Sequence, residues 1–207
     1  MESAKIYEQI KKKYDIMCGE TLIVGIDGLG GAGKSTVSEA LRKMFREEDI
    51  FVTVLHIDDF IHPKTVRYND KYAEWECYYN LQWRYDYLLK DVAEPIRRGS
   101  LSGKIELYDK DNDTYFLSET NIPVGSVVII EGIFLQREEL RGVFDYVVYI
   151  DIPEEIRLER VLKRDGYIGN KEQIKAKYEN RYFPAERYYV KNCSPCDNAN
   201  FVSRSGL

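Results

Sequence analysis

A glycine-rich loop that ends in a lysine and a serine, Gly28-Leu-Gly-Gly-Ala-Gly33-Lys34-Ser35, is the stretch of this sequence most suited to chemistry. It fits the pattern G-x-x-x-x-G-K-[ST], whose glycines let backbone N–H groups converge on phosphate oxygens where a Cβ would clash. An apolar run over 21–26 precedes the loop, and a helical pattern over 34–47 follows it. The start of that helix and its dipole would face the same anion. We expect a nucleoside triphosphate here; a chance glycine-rich turn is the alternative.

The residues of this loop have separate predicted tasks. Lys34 would reach the β- and γ-phosphates, and Ser35 would ligate Mg²⁺. The predicted nucleotide contacts are Gly28, Gly30, Gly31, Ala32, Gly33, Lys34, Ser35 and Thr36.

Carboxylates follow two other predicted strands, where ligands bind in open α/β sheets. Asp58 comes directly after the segment 51–57, so that it would lie close to the loop and could take a proton from an attacking hydroxyl. Its alternative role is to cap a loop. Glu131 ends the apolar run 127–130 and would hold Mg²⁺ directly or through water. An ordinary acid at a strand end is the alternative there.

Three arginines share one face of a helix predicted over 153–164, because Arg157, Arg160 and Arg164 are spaced i, i+3, i+7. Such a stripe could clamp a transferring phosphoryl group and offset its charge. The alternative is a solvated helix with an ordinary i, i+4 ion pair between Glu159 and Lys163.

An aromatic segment lies between Tyr68 and Tyr87. Tyr72, Trp75, Tyr79 and Trp83 fit one helical face, which favours packing over a ligand platform. Acidic and basic side chains among them could bind polar groups of an acceptor. The candidate acceptor-binding residues are Asp59, Glu76, Tyr79, Asp86 and Tyr108.

Strands alternate with helices along the chain, which predicts an α/β fold with a mainly parallel sheet. Further strands are predicted over 146–150 and, at an edge, 200–202, with a hairpin over 104–108 and 115–117. Further helices are predicted over 3–15, 80–98 and 170–187.

Composition sets limits on what the chain can be. Its 207 residues suffice for one domain, and a hydrophobic share of 44% excludes a disordered chain. The net charge of −5 argues against a general nucleic-acid binder, which needs cations to displace phosphate counterions. Apolar runs are too short to span a bilayer, and no secretory signal is visible, so that a cytoplasmic location is expected. Cys193 and Cys196 have the spacing of a redox or half-zinc motif, but the only histidines that could complete a zinc site are His56 and His62, so that a structural or incidental role is favoured.

The chain resembles the uridine kinase and phosphoribulokinase branch of P-loop kinases, which also holds a bacterial pantothenate kinase type. The resemblance spans about 21–187 and is carried by the loop, by Asp58-Asp-Phe60, by Val128-Ile-Ile-Glu-Gly-Ile-Phe134 and by Arg157-x-x-Arg160. It implies a three-layer α/β/α P-loop fold in one domain over 1–207, with an N-terminal helix within 1–20. It also implies an acceptor-side insertion over 60–120 and an arginine-bearing lid region over 153–187.

By this resemblance, Asp58 would be the general base, Glu131 would serve Mg²⁺, and Arg157 and Arg160 would join Lys34 in the catalytic set. Two features of uridine kinases have no counterpart here. The stretch from Asn80 to Asp86 lacks the Pro-Asp-Ala-Phe-Asp run that grips ribose, and no histidine follows Tyr108-Asp109.

The predicted function is ATP-dependent phosphotransfer to a hydroxyl of a small metabolite, uridine or cytidine by resemblance. A pantothenate-like alcohol, a sugar or another nucleoside is the alternative acceptor. A third possibility is a nucleotide-binding regulatory module without turnover, although the Asn-Lys-x-Asp motif of GTPases is missing. ATP and Mg²⁺ are the expected cofactors, no nucleic acid or membrane partner is expected, and a homo-oligomer is left open.

Overall fold

The computed structural model describes residues 2–204, so that residues 1 and 205–207 of the predicted domain range lie outside the described residues. The strands are β1 (Leu22–Gly28), β2 (Val52–His56), β3 (Leu101–Asp109), β4 (Thr114–Ile122), β5 (Val127–Gly132), β6 (Tyr146–Ile150) and β7 (Phe201–Ser203). Five of them form a parallel sheet in the order β2-β5-β1-β6-β7, and β3 pairs with β4 as an antiparallel hairpin.

The helices are α1 (Glu2–Ile16), α2 (Lys34–Glu47), α3 (Lys64–Arg67), α4 (Glu74–Leu81), α5 (Tyr85–Tyr87), α6 (Glu94–Arg97), α7 (Glu154–Arg164), α8 (Lys171–Lys177), α9 (Phe183–Cys193) and α10 (Pro195–Asn198). Two π-helical stretches join neighbouring helices, Leu88–Ala93 between α5 and α6 and Tyr178–Tyr182 between α8 and α9. Short 3-10 turns cover Ile57–Asp59 and Glu138–Leu140.

Strands β1 and β5 lie in the middle of the sheet and are buried along their whole length. Strands of a parallel sheet are covered on both faces, so that a continuous apolar run is stable there. This confirms the prediction drawn from the two apolar runs. Their pairing sets Ile26 beside Glu131, and β2 pairs with β5 so that His56 also lies beside Glu131.

Helices cover both faces of the sheet, which confirms the three-layer α/β/α architecture. On one face, Ile6 and Ile10 of α1 and Phe45 of α2 are fully buried against the sheet. On the other face, the helical stretch over 85–97 packs through Leu88 and Val92. Each such buried side chain contributes about 1.5–3 kcal/mol relative to its exposed form.

The helix predicted over 80–98 is wrong at its start. Helix α4 ends at Leu81, and Trp83 pairs in an isolated antiparallel bridge with Ile61. Backbone bonds from His62 N to Gln82 O and from Arg84 N to Phe60 O, 2.9 and 2.8 Å long, hold this extended segment. The tertiary pairing with the chain that follows Asp58 therefore overrides the helical periodicity.

Other predicted boundaries shift by a few residues. The hairpin is confirmed, but its strands are longer than the predicted 104–108 and 115–117. The helix predicted over 170–187 consists of α8, a π-helical stretch and α9, and the edge strand near 200–202 is confirmed as β7. Within residues 2–204, no helix is both long and apolar enough to cross a membrane.

Gly132 offers a test of the packing at the end of β5. A Cβ built there would overlap Cγ2 of the buried Ile57, the residue before Asp58. We expect Gly132→Ala to lower the free energy of unfolding by about 1–3 kcal/mol, because overpacking forces neighbouring side chains to move. Gly166→Ala is the control, since no described atom lies within 4 Å of that Cβ position. Equal urea midpoints for both variants would contradict this packing.

Candidate active site

The glycine-rich loop connects β1 to α2 and leaves the start of that helix open. Gly33 precedes α2 in the left-handed conformation, with φ of 97°, and contributes no side-chain cap. A Cβ at Gly31, whose φ is 80°, would lie 2.8 Å from the carbonyl oxygen of Arg157. Because the first-turn amides of a helix have no intrahelical partner, this bend presents N–H groups suited to an anion.

Ser35 and Glu131 meet beside the loop, as the sequence predicts for a magnesium site. Ser35 Oγ donates to Glu131 Oε1 at 2.9 Å, and His56 Nδ1 lies 2.6 Å from the same oxygen. Burial alone would raise the pKa of Glu131, but the hydrogen bond with His56, the charge of Lys34 and the bond from Ser35 together lower it. A hydroxyl beside an ionised carboxylate is the oxygen donor set that Mg²⁺ prefers, so that these residues fit the ion.

Lys34 lies on the floor of the same cavity. Its Nζ donates to the carbonyl oxygen of Leu29, at 3.1 Å. Burial lowers the pKa of Lys34, while Glu131, Asp27 and Asp58 oppose that shift. The ammonium group therefore sits among carboxylates at the strand ends, where a triphosphate would add further negative charge.

The cavity in front of the loop has a volume of about 770 Å³. Gly30, Lys34 and Ser35 line it, as do Asp58 and Glu131, so that one space joins all three predicted chemical groups. Asp58 is exposed into this space, and its Oδ1 lies 3.3 Å from Nε1 of Trp83. The 3-10 turn after β2 thus brings Asp58 to the edge where β1 and β5 also end.

Asp27 is a buried anchor of the loop that sequence reasoning missed. It is fully buried and accepts hydrogen bonds from Gly28 N at 2.8 Å, from Gln136 Nε2 at 3.0 Å and from the Tyr189 hydroxyl. Burial raises its pKa, and these hydrogen bonds oppose the rise. The sequence feature that could have identified Asp27 is an acidic residue inside an otherwise apolar strand.

Arg157 lies behind the loop, which corrects the prediction that it faces the transferring phosphoryl group. It is 3% exposed, and its Nη1 donates to Gly30 O and to Glu186 Oε2, both at 2.9 Å. Glu186 Oε1 in turn accepts from Gly30 N at 2.9 Å. A buried ion pair between α7 and α9 therefore hydrogen-bonds both the N–H and the carbonyl group of Gly30. Nothing in the sequence singled out Glu186.

The other two arginines of the stripe have different positions, one against the glycine loop and one on the cavity wall. Arg160 Nη1 is 3.3 Å from the carbonyl oxygens of both Gly31 and Ala32. Arg164 lines the cavity, with its Nε 2.6 Å from Asp165 Oδ1. The spacing correctly placed all three on one side of α7, but only Arg164 extends to the cavity wall.

Of the predicted acceptor-binding residues, Asp59 and Tyr108 line the cavity, whereas Glu76, Tyr79 and Asp86 lie outside its wall. Glu76 accepts from Ala73 N at 2.9 Å and caps its own helix. The Tyr79 ring packs 3.9 Å below the guanidinium of Arg137, and Asp86 is exposed. The cavity wall instead carries Tyr78 of α4 and Gln82, the residue that follows the helix.

The stripe of Tyr72, Trp75, Tyr79 and Trp83 serves packing, as favoured from its spacing. Tyr79 and Trp83 are buried in the core around Phe134, with ring centroids 5.1 and 5.5 Å from that ring. Trp75 packs on Tyr188 at 5.3 Å, while Tyr72 is more than half exposed.

A glycine loop that leads into a helix, beside a strand-end glutamate within reach of the loop serine, is the arrangement found in P-loop kinases. Comparison with known proteins agrees with that class. The chain belongs to the phosphoribulokinase / uridine kinase family, whose model matches residues 23–204. Membership supports ATP-dependent kinase activity on a small molecule.

Several relatives illustrate the membership. The chain is 25% identical over 145 residues to a uridine kinase of Leuconostoc citreum, covering 70% of this chain and 68% of that protein. It is 26% identical over 145 residues to a uridine kinase of Limosilactobacillus reuteri, covering 70% and 65%. A structure from Bacillus stearothermophilus, described as a possible uridine kinase, is 31% identical with a TM-score of 0.74 and covers 94% of this chain and 99% of its own.

The ion pair behind the loop predicts a large difference between two substitutions on α9. Glu186→Ala should lower the free energy of unfolding by about 3–5 kcal/mol, because Arg157 then stays buried without a counter-charge. Arg187→Ala removes an exposed pair with Glu154, 3.7 Å long, and should cost about 0–1 kcal/mol. Denaturant titration of both variants measures the difference. Similar losses would contradict the structural role assigned to Glu186.

Proposed function

We propose that this protein transfers the γ-phosphoryl group of ATP to a hydroxyl of a small metabolite, with Asp58 as the general base. The observation that carries the proposal is the single cavity that joins the glycine loop, Ser35, Glu131 and Asp58. Single-domain organisation, a cytoplasmic location and homo-oligomer formation stay predictions.

In the proposed reaction, the acceptor oxygen forms a bond to the γ-phosphorus as the bond to the β,γ-bridging oxygen breaks. Asp58 accepts the proton of the acceptor hydroxyl, and ADP leaves. The amides of the loop and the ammonium of Lys34 bind the phosphates and offset charge as it moves toward ADP. Catalysis would therefore rest on position and electrostatics rather than on a covalent intermediate.

Ser35 and Glu131 are the residues that would hold Mg²⁺. The ion would neutralise phosphate charge when bound. His56 lies in hydrogen-bond contact with Glu131 and would fix the orientation of its carboxylate. Arg157 and Glu186 would act through the loop, by holding Gly30 in the conformation that presents its neighbours to phosphate.

Uridine is the acceptor that the names of the relatives suggest, and cytidine joins it through the resemblance in sequence. A different hydroxyl acceptor is the second candidate, because Glu76 and Asp86 lie outside the cavity and no histidine follows Tyr108-Asp109. ADP release across a panel of nucleosides, sugars and pantothenate separates the two. A response to uridine or cytidine supports the first candidate, and a response only to other alcohols supports the second.

The assignment of Asp58 as the general base predicts that its substitution slows phosphoryl transfer without weakening nucleotide binding. Asp58→Asn should lower the rate of phosphoryl transfer by about 10²–10⁴-fold, since the amide cannot accept the hydroxyl proton. Affinity for Mg·ATP should change little, as measured by calorimetry. Asp91→Asn, on an exposed side chain outside the cavity, is the matched control. Full activity of Asp58→Asn would overturn the assignment.

The magnesium assignment predicts a changed metal requirement. Glu131→Gln should raise the Mg²⁺ concentration for half-maximal activity by about 10–100-fold, because a charged oxygen ligand or its support is lost. Glu119→Gln, an exposed residue of the hairpin, should leave the Mg²⁺ titration unchanged. An unaltered titration for Glu131→Gln would contradict the metal site.

A further inference from the structure

Arg67, at the end of α3, is a buried cation on the acceptor side of the cavity. It is 8% exposed and yet lines the cavity, on the wall formed by α3 and the β3–β4 hairpin. Asp58 and Asp59 also line the cavity, and they belong to the turn that directly follows β2 at the edge of the sheet. The guanidinium therefore belongs to the part of the site that an acceptor, rather than ATP, would occupy.

The charge of Arg67 is only partly compensated. Its Nε donates to the carbonyl oxygen of His62, and its Nη2 donates to the Tyr108 hydroxyl at 2.7 Å. Its nearest carboxylate, Asp113, lies 3.9 Å away and already accepts from the Tyr108 hydroxyl at 2.5 Å and from Lys64 N at 2.9 Å. Among residues 2–204, Nη1 makes no hydrogen bond. A buried charge of this kind is costly unless a ligand completes its pairing.

A second guanidinium increases the positive charge on this side. Arg181 is 1% exposed, and its Nη1 and Nη2 each donate at 3.1 Å, to Glu74 O and to Gln82 Oε1. Within the described part of the chain, it forms no ion pair. Its guanidinium lies 4.5 Å from the centre of the Tyr68 ring, and that of Arg67 lies 5.7 Å from the same ring.

Two lysines add positive charge on this side of the cavity. The exposed residues Lys64 and Lys110 line the cavity on the same side as Arg67. Three cations, Arg67, Lys64 and Lys110, thus line the acceptor end, with Arg181 beside Tyr68 outside the cavity wall. The carboxylates that oppose them are Asp113, which accepts from Tyr108, and the two aspartates that follow β2. One of those aspartates, Asp58, is assigned to proton transfer.

We propose that the acceptor carries an anionic group, a phosphate monoester or a carboxylate, which Arg67 binds together with Lys64 and Lys110. The acceptor hydroxyl would then point toward Asp58. This inference rests on the proposed kinase function, and it names the substrate class of that same site. A neutral acceptor would leave Nη1 of Arg67 without a partner, and sites that hold unpaired polar groups discriminate against such ligands.

The first test measures anion binding with the nucleotide site filled. Inorganic phosphate is titrated by calorimetry into the protein saturated with Mg·ADP. We expect Arg67→Gln to weaken phosphate binding by about 10–100-fold, as for loss of a charged hydrogen bond, with partial recovery in Arg67→Lys. Because Arg67 is buried, the exposed Lys110→Gln is a second variant, expected to weaken phosphate less. Arg98→Gln, on the outer surface, is the control.

The second test compares neutral acceptors with anionic compounds of the same carbon skeleton. Product formation is followed for D-ribose against D-ribose 5-phosphate, for glycerol against D-glycerate, and for uridine. We expect an acid or a phosphate to exceed its neutral partner in kcat/KM, with Arg67→Gln removing this preference and leaving the KM for ATP unchanged. The ribose and glycerol pairs distinguish a phosphate from a carboxylate.

Each outcome separates the anionic site from the kinase function. Phosphorylation of uridine without phosphate binding at Arg67 would overturn the anionic site and leave the kinase function intact. Phosphate binding that depends on Arg67, without transfer to any acceptor, would support the anionic site and count against the kinase function. Equal phosphate affinity in Arg67→Gln and Arg98→Gln would overturn the proposal outright.

Discussion

The backbone of Gly30 is the constraint on which the site depends. Its N–H and carbonyl groups are held by Glu186 and Arg157, which themselves form an ion pair of 2.9 Å with almost no exposed surface. Burial raises the pKa of Glu186, and the neighbouring Arg157 opposes this. Breaking such a pair leaves an uncompensated buried charge, so that the loop, α7 and α9 are expected to hold or lose their arrangement together. A flexible glycine-rich loop thereby gains a fixed conformation.

The parallel sheet supplies the rest of the geometry. Because β1, β2 and β5 run in the same direction, their carboxyl ends meet at one edge. The glycine loop, the turn with Asp58, and Glu131 each belong to one of those ends, which brings residues far apart in sequence into one cavity. The acceptor side has a different origin. It comes from α3, α4 and the hairpin, where Arg67 donates to the Tyr108 hydroxyl and the guanidinium groups of Arg67 and Arg181 both lie near the Tyr68 ring.

Much of the nucleotide side could be predicted from sequence, because the chemistry there depends on local spacing. The loop, the strand before it and the helix after it are contiguous, and Glu131 ends a recognisable buried strand. Glu186 could not be found in this way, since its partner Gly30 lies 156 positions earlier in the chain. The helix predicted over 80–98 failed for the same kind of reason: the bridge between Ile61 and Trp83 is a tertiary contact. Asp86 falls within that wrongly predicted helix, whereas Glu76 lies in α4 and caps that helix instead of lining the cavity.

The most direct test of the central claim, that this cavity transfers a phosphoryl group to an alcohol, is phosphorus NMR. The substrate is Mg·ATP whose γ-phosphoryl oxygens are labelled with a heavy oxygen isotope. The protein would be incubated with the labelled nucleotide and a mixture of neutral, carboxylated and phosphorylated hydroxyl compounds. The account predicts a new phosphate monoester that carries the label and forms in step with ADP. Release of the label only as inorganic phosphate, or tight nucleotide binding with no turnover in the mixture, would contradict it.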